Sequence, residues 1–229
     1  MKEESGRIRA ELLRERLESR TGKIEEIVSS FGSSLPHPHD FSPSAADICW
    51  IPEVRKTIIS GTDEEFRDRE AEVRSRISEL SATWLEERIK VLLRLLPQDS
   101  PSTEHLSLAT TLFDCKGCNE FGMRIEAALS HKCCCDDDSR FSKFPNVASR
   151  RFFCYEVGVP WNLRTAMFKY SGELSALVRA IVVECGEDPD TITTKEMNKK
   201  NHRFARFNAD GSISVLNWFQ AVSSRACVR

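Results

Sequence analysis

The sequence predicts a mainly α-helical protein with small β-hairpins, an α+β fold. Three observations predict it. Apolar residues recur at helical spacing through residues 2–30, 62–96 and 172–185. Two short stretches, around Leu112–Met123 and Arg203–Val215, place strand-forming residues on either side of a turn. Five of the nine cysteines fall within residues 115–135.

The bulk numbers exclude several classes. At 229 residues, one or two domains are expected. A hydrophobic content of 40% is enough for a real core. Lys+Arg 33 against Asp+Glu 35 leaves a net charge of −2, which argues against a strongly electrostatic nucleic-acid binder. No apolar run reaches the ~18 residues of a membrane span, so no membrane partner is expected. Met1-Lys-Glu-Glu-Ser5 lacks the apolar core of a secretory signal. An odd number of cysteines in a chain of this size does not read as a disulfide framework. A reducing compartment, cytoplasm or nucleus, is expected.

Taken in order, residues 1–30 form an amphipathic N-terminal helix with a narrow stripe of Ile8, Leu12, Leu13, Leu17, Ile24, Ile27 and Val28. Such a helix could pair with a partner, but docking on its own domain is the better expectation. Residues 31–47, with Gly32, Pro36, Pro38 and Pro43, read as a linker that separates this helix from the rest. His37 and His39 lie there without a cysteine or acidic partner beside them. Residues 48–110 form a helical region. Pro52 opens a short helix over 52–59 that ends near Gly61. Thr62 and Glu65 form a capping box for a long helix that Pro97 terminates. Trp84 and the leucines of that helix are expected in the core. A short helix over 104–110 follows, with His105 at the surface or in a cap.

Residues 111–135 are the informative stretch. Cys115-Lys-Gly-Cys118 is followed by His131-Lys-Cys133-Cys134-Cys135. The pattern is C-x2-C-x12-H-x-C, or H-x3-C if Cys135 is the last ligand. Zinc takes four N or S ligands in a tetrahedron, and two cysteines two residues apart both point into one turn. Strands around Phe113 and Phe121, then a helix over 124–131, give a hairpin followed by a helix, with metal holding the two together. Cys115, Cys118 and His131 are three candidate ligands. Cys135 serves as the fourth if the helix continues past His131; Cys133 serves if it ends there. The competing reading is a cluster of reduced, buried thiols.

After this unit, Asp136–Asp138 and the polar run to Ser149 read as a solvated loop, since the alternating ligands of a calcium loop are missing. Residues 150–229 form a second helical region. Phe152–Tyr155 has strand-like content. Residues 172–185 form an apolar helix closed by Gly186. Thr193 and Glu196 make another capping box, for a helix over 194–200. Arg203–Phe207 and Ser212–Val215 make a hairpin around Asp210-Gly211, and a helix over 217–226 closes the chain. In this last hairpin and helix, Cys227 is the only cysteine or histidine beyond His202.

With Leu106-x-Leu-Ala-Thr-Thr-Leu-Phe-x-Cys115-x-x-Cys118, His131-x-Cys133 and Trp161, the chain resembles a broad group of zinc-finger-like proteins from mushroom-forming fungi, some with an F-box. Ile181-Val-x-x-Cys-Gly-x-Asp-Pro-Asp-Thr-x-Thr-x-x-Glu-Met197, Arg203-Phe204 and Trp218-x-x-Ala-Val222 resemble the same group, over about residues 48–223. The resemblance implies a helical domain with an inserted ββα-type zinc finger, one structural zinc, and Cys133 ahead of Cys135 as the fourth ligand. It brings no established activity. It also implies a second finger near the C-terminus. That finger is degenerate here: cysteine is missing near Arg206 and Ala209, and Ser224 stands where a histidine is expected. A metal-free unit held by Phe204, Phe207, Ile213, Val215, Leu216 and Trp218 is expected in its place. No F-box-like N-terminal segment is visible.

Three functions compete. The first is a protein-interaction or scaffold module with structural zinc, since all four metal positions are filled by protein. The second is nucleic-acid binding through the finger helix with Lys199, Lys200, Arg203 and Arg206. The third is a Cys/His hydrolase using Cys154 or Cys185. The G-x-S-x-G, Walker, H-E-x-x-H and deaminase patterns are absent from the sequence. The first is preferred, with no catalytic residue and no small-molecule substrate expected.

Overall fold

The computed structural model describes residues 2–35, 41–97, 101–131, 133, 144–161 and 168–226. In chain order the first elements are helices α1 (Lys2–Ser34), α2 (Ala45–Cys49), α3 (Pro52–Ser60), α4 (Asp63–Leu93) and α5 (Thr103–Ser107). Strands β1 (Phe113–Cys115) and β2 (Glu120–Met123) follow, then α6 (Ile125–Leu129) and α7 (Val147–Phe152), which runs into a π-helical turn (Phe153–Val157). Strand β3 (Phe168–Tyr170), helices α8 (Gly172–Glu184) and α9 (Thr194–Lys200), strands β4 (Arg203–Phe207) and β5 (Ile213–Asn217), and helix α10 (Trp218–Ala226) complete the chain. The protein is mostly helical with small antiparallel sheets. Among the described residues no helix is long and apolar enough to cross a membrane.

The chain divides into two compact units, Met1–Arg88 with Ser130–Arg164, and Ile89–Leu129 with Thr165–Arg229. The core of the first gathers Leu17, Ile24, Ile27 and Val28 of α1 with Ile48, Trp50, Ile58, Phe66, Val73, Phe152 and Phe153. Helix α1 is therefore part of this core. Its Arg20 is buried, and the guanidinium donates to the carbonyls of Thr57 (2.7 Å) and Ile58 (3.1 Å) at the end of α3 and to Asp63 (2.8 Å). The guanidinium adds to the Gly61 N–H that already closes on the Thr57 carbonyl, and its positive charge suits the C-terminal end of a helix. Gly61 closes α3, where a Cβ would lie 2.8 Å from the Thr57 carbonyl oxygen.

The stretch expected to be a linker, 31–47, is helical at both ends. Residues 31–34 complete α1, and residues 45–47 begin α2. Ser44 and Asp47 form the capping box that starts α2, a local signal the linker reading passed over. Asp47 is buried; it also accepts from the Trp161 backbone N–H (2.9 Å) and lies 3.5 Å from Arg88. His37 and His39 lie outside the described residues. The capping box at Thr62 forms as read, with Glu65 accepting from the Thr62 N–H at 2.6 Å.

Phe152–Tyr155 is helical, not a strand. A strand would send Phe152 and Phe153 to opposite faces, whereas a helical turn lets both enter one core. Both are buried, and Phe153 meets Trp50 edge-on at 5.9 Å. Asn146 starts α7 by accepting from the Ser149 N–H (2.8 Å), inside the run read as loop. Asp136–Asp138 lie outside the described residues.

The second unit has its own core of Leu112, Val178, Ile181, Val182, Met197, Trp218 and Val222. Helix α8 ends as the sequence predicts. Gly186, at φ 75°, donates to Val183, and Glu187 donates to Val182, a Schellman closure. Helix α9 starts on the Thr193–Glu196 box. Strands β4 and β5 pair in register from Arg203↔Asn217 to Phe207↔Ile213.

One expectation for this hairpin fails. Phe204 and Trp218 do pack into the unit's core, and Leu216 is half-buried. Phe207, Ile213 and Val215 are instead exposed, at 77%, 60% and 67%. The reason is the period of a strand: alternate residues point to opposite faces. Phe204 and Leu216 are cross-strand partners on the covered face, and Phe207, Ile213 and Val215 belong to the other.

Candidate metal centre

The site is built on a three-stranded sheet of order β2–β1–β3. Strand β1 is central and fully buried. Its Phe113 stacks on Phe168 of β3, with ring centroids 5.7 Å apart. Strand β3 was not read from the sequence. It is three residues long, too short to show a period, and it pairs with residues some fifty positions earlier.

The first hairpin carries a bulge. Phe113 faces Met123 while Cys115 faces Glu120, so two β2 residues, Phe121 and Gly122, oppose Asp114. Gly122 takes φ 70°, the left-handed conformation that glycine adopts at little cost. Its free N–H donates to the buried Asp114 carboxylate at 3.1 Å, and Lys169 of β3 lies 3.6 Å from the same group. The bulge thus bends β2 while its polar groups stay satisfied. A Gly in a strand-like run was the one sequence signal for it.

The turn between the strands holds Cys115 and Cys118. The Gly117 N–H donates to the Cys115 Sγ at 3.3 Å. Helix α6 stops at Leu129, so His131 and Cys133 lie beyond it, Cys133 in a 3-10 helical conformation. The donor atoms of Cys115, Cys118, His131 and Cys133 all lie within 4.8 Å of one another. Four donors about 2.0–2.3 Å from one metal in a tetrahedron sit roughly 3.3–3.8 Å apart. Three sulfurs and one imidazole gathered this closely fit a single metal ion. Cys115 and His131 are buried, Cys133 is half-buried and Cys118 is exposed. Cys134 and Cys135 lie outside the described residues.

The other cysteines differ. Burial pushes the Cys49 thiol up to about 12, with Glu25 adding to it. Burial also raises Cys154, against Arg150, and raises Cys185, helped by Glu187 and Glu184. Each is held toward the unreactive thiol, away from the thiolate that a nucleophile requires. His105 acts in a cap, its Nδ1 accepting from the Ser102 N–H at 3.0 Å. Of the basic residues named from the sequence, Lys200 pairs with Glu187 at 2.6 Å. Lys199, Arg203 and Arg206 form no ion pair among the described residues.

No protein-family model matches the chain, and no curated protein or solved structure matches it.

Proposed function

We propose that Cys115, Cys118, His131 and Cys133 hold one structural zinc ion, and that the protein is an interaction or scaffold module of a reducing compartment. The observation that carries this reading is the convergence of three sulfurs and one imidazole nitrogen within 4.8 Å. That donor set is soft and complete: four protein ligands leave no position for the water that a catalytic zinc would activate. The zinc would tie the hairpin β1–β2 to the chain leaving α6. A ββα unit of the kind described for the fungal zinc-finger-like group is consistent with this order of elements, and the role proposed is non-catalytic.

Elemental analysis of freshly reduced protein tests it. One zinc per chain is expected, with a chelator lowering the thermal midpoint. No zinc, two tightly held zincs, or a melt indifferent to chelator would overturn it.

A further inference from the structure

The β4–β5 hairpin carries an apolar face that its own fold does not use. The register places Arg203, Ala205 and Phe207 of β4 on the same face as Ile213, Val215 and Asn217 of β5. Phe207 and Ile213 are direct cross-strand partners, and Val215 is one pair further along. Paired Cβ atoms lie about 4.5–5.5 Å apart, so the three side chains form one continuous patch. They are 77%, 60% and 67% exposed. An antiparallel sheet with one covered face ordinarily turns polar residues outward. Here Phe204 and Leu216 already serve the covered face. Burial in this unit does not account for three large apolar residues on the other.

The rim is basic and uncompensated. Arg203 shares the apolar face, and Lys199 lies exposed in the last turn of α9, four residues before Arg203. Neither forms an ion pair among the described residues. Neighbouring cations are treated differently: Lys200 is held by Glu187 and Arg179 by Asp190, both at 2.6 Å. The nearest acid on the hairpin, Asp210, is occupied in the turn by the Ser212 N–H and hydroxyl.

We propose that this face docks a segment of a partner protein that carries both apolar and acidic side chains. Its apolar groups would cover Phe207, Ile213 and Val215, and its carboxylates would meet Arg203 and Lys199. Nucleic acid fits less well. A single-strand platform stacks successive bases on aromatic rings, and this face has one ring and two aliphatic chains. A phosphate-led interface needs a broad basic footprint, which a chain of net charge −2 lacks. A second copy of the chain would bring the same cationic rim against itself. A patch of three side chains belongs to the small, transient class of interface. This inference rests on the interaction-module reading and is independent of the metal.

The test is a selection from a random 16-residue peptide display library. The bait is the full zinc-loaded chain, and the counter-bait is the full-length F207S/I213T/V215T variant with its zinc content verified. Enriched peptides should combine leucine-like residues with Asp or Glu. Their affinity should fall at least tenfold in the triple variant and in K199E/R203E, and it should recover when acidic peptide positions are reversed to Lys against K199E/R203E. Peptides enriched equally on both baits would place the interaction surface elsewhere and leave the module reading standing. No enrichment, or a basic consensus, would overturn the docking proposal. So would tighter binding of a random-sequence single-stranded RNA than of any enriched peptide. A concentration-dependent dimer abolished by the triple variant would overturn it in favour of self-association.

Discussion

The hairpin β1–β2 and the hairpin β4–β5 are built alike: strands of three to five residues, a turn with a positive-φ residue, and a helix directly after. They differ in how they are held. Strand β1 is central in its sheet and buried along its whole length, with β3 on its second edge and four metal-type donors in its turn and tail. Strands β4 and β5 pair only with each other, and most of their residues are exposed or half-exposed. Their anchor is a side chain: Trp218, at the start of α10, is 1% exposed and donates its indole N–H to Asn198 at 3.0 Å. A short hairpin is marginal in water by itself. One unit meets that problem with a third strand and a ligand cluster, the other with an aromatic plug on one face. The difference teaches that a short hairpin without metal-type donors among its described residues can be anchored by one aromatic side chain. It also means that only the second unit can leave a whole sheet face open.

If the cluster holds zinc as proposed, the largest effect that separates the two is removal of that metal. Cys115→Ser should take bound zinc from one per chain to none and melt the first hairpin. Structural zinc contributes on the order of 10 kcal/mol in small fingers. The second hairpin should persist, which hydrogen exchange of Arg203–Phe207 amides would report. Simultaneous loss of both hairpins would break the comparison.

Next comes Trp218→Ala. Emptying the site of a fully buried tryptophan should cost about 3–5 kcal/mol. Zinc content should stay at one per chain while Phe204 and its neighbours lose protection. A variant that loses zinc instead would make the two units interdependent.

A smaller and more pointed comparison uses two positive-φ glycines, Gly122 in the β2 bulge and Gly211 in the β4–β5 turn. Gly122→Ala meets both φ 70° and a Leu174 methyl 3.2 Å from the new Cβ. Gly211→Ala meets φ 80° and open space. The left-handed conformation alone costs about 1 kcal/mol, so Gly211→Ala should lose about that much. Gly122→Ala should lose more, because Leu174 must move. Denaturant melts of the two variants decide the order.

The smallest effect is expected at the open face. Phe207→Ser with Val215→Thr should leave stability within about 0.5 kcal/mol of the parent, as exposed positions usually do. A loss of 2 kcal/mol or more in a chemical melt would show that the face is covered after all.

The sequence by itself determined what depends on neighbours a few residues apart. Thr62–Glu65 and Thr193–Glu196 start helices because a capping box closes within one turn. Gly186 ends α8 because its conformation is its own. Cys115, Cys118 and His131 were readable because the knuckle and the spacing to the helix end are local geometry. Which cysteine follows His131 was not determined this way: only a family resemblance ranked Cys133, and among the described residues Cys133 joins the cluster beyond the end of α6 at Leu129. Other features were decided by tertiary structure alone. Strand β3 has no signature until β1 offers it an edge. Phe152 and Phe153 read as a strand by composition and became helical because one core receives both. The buried role of Arg20 appears only when the end of α3 is brought against α1. Phe207, Ile213 and Val215 were read as core for the same reason. Alternation along a strand assigns residues to one of two faces, but which face meets a neighbour is set by Trp218 and the elements packed around it.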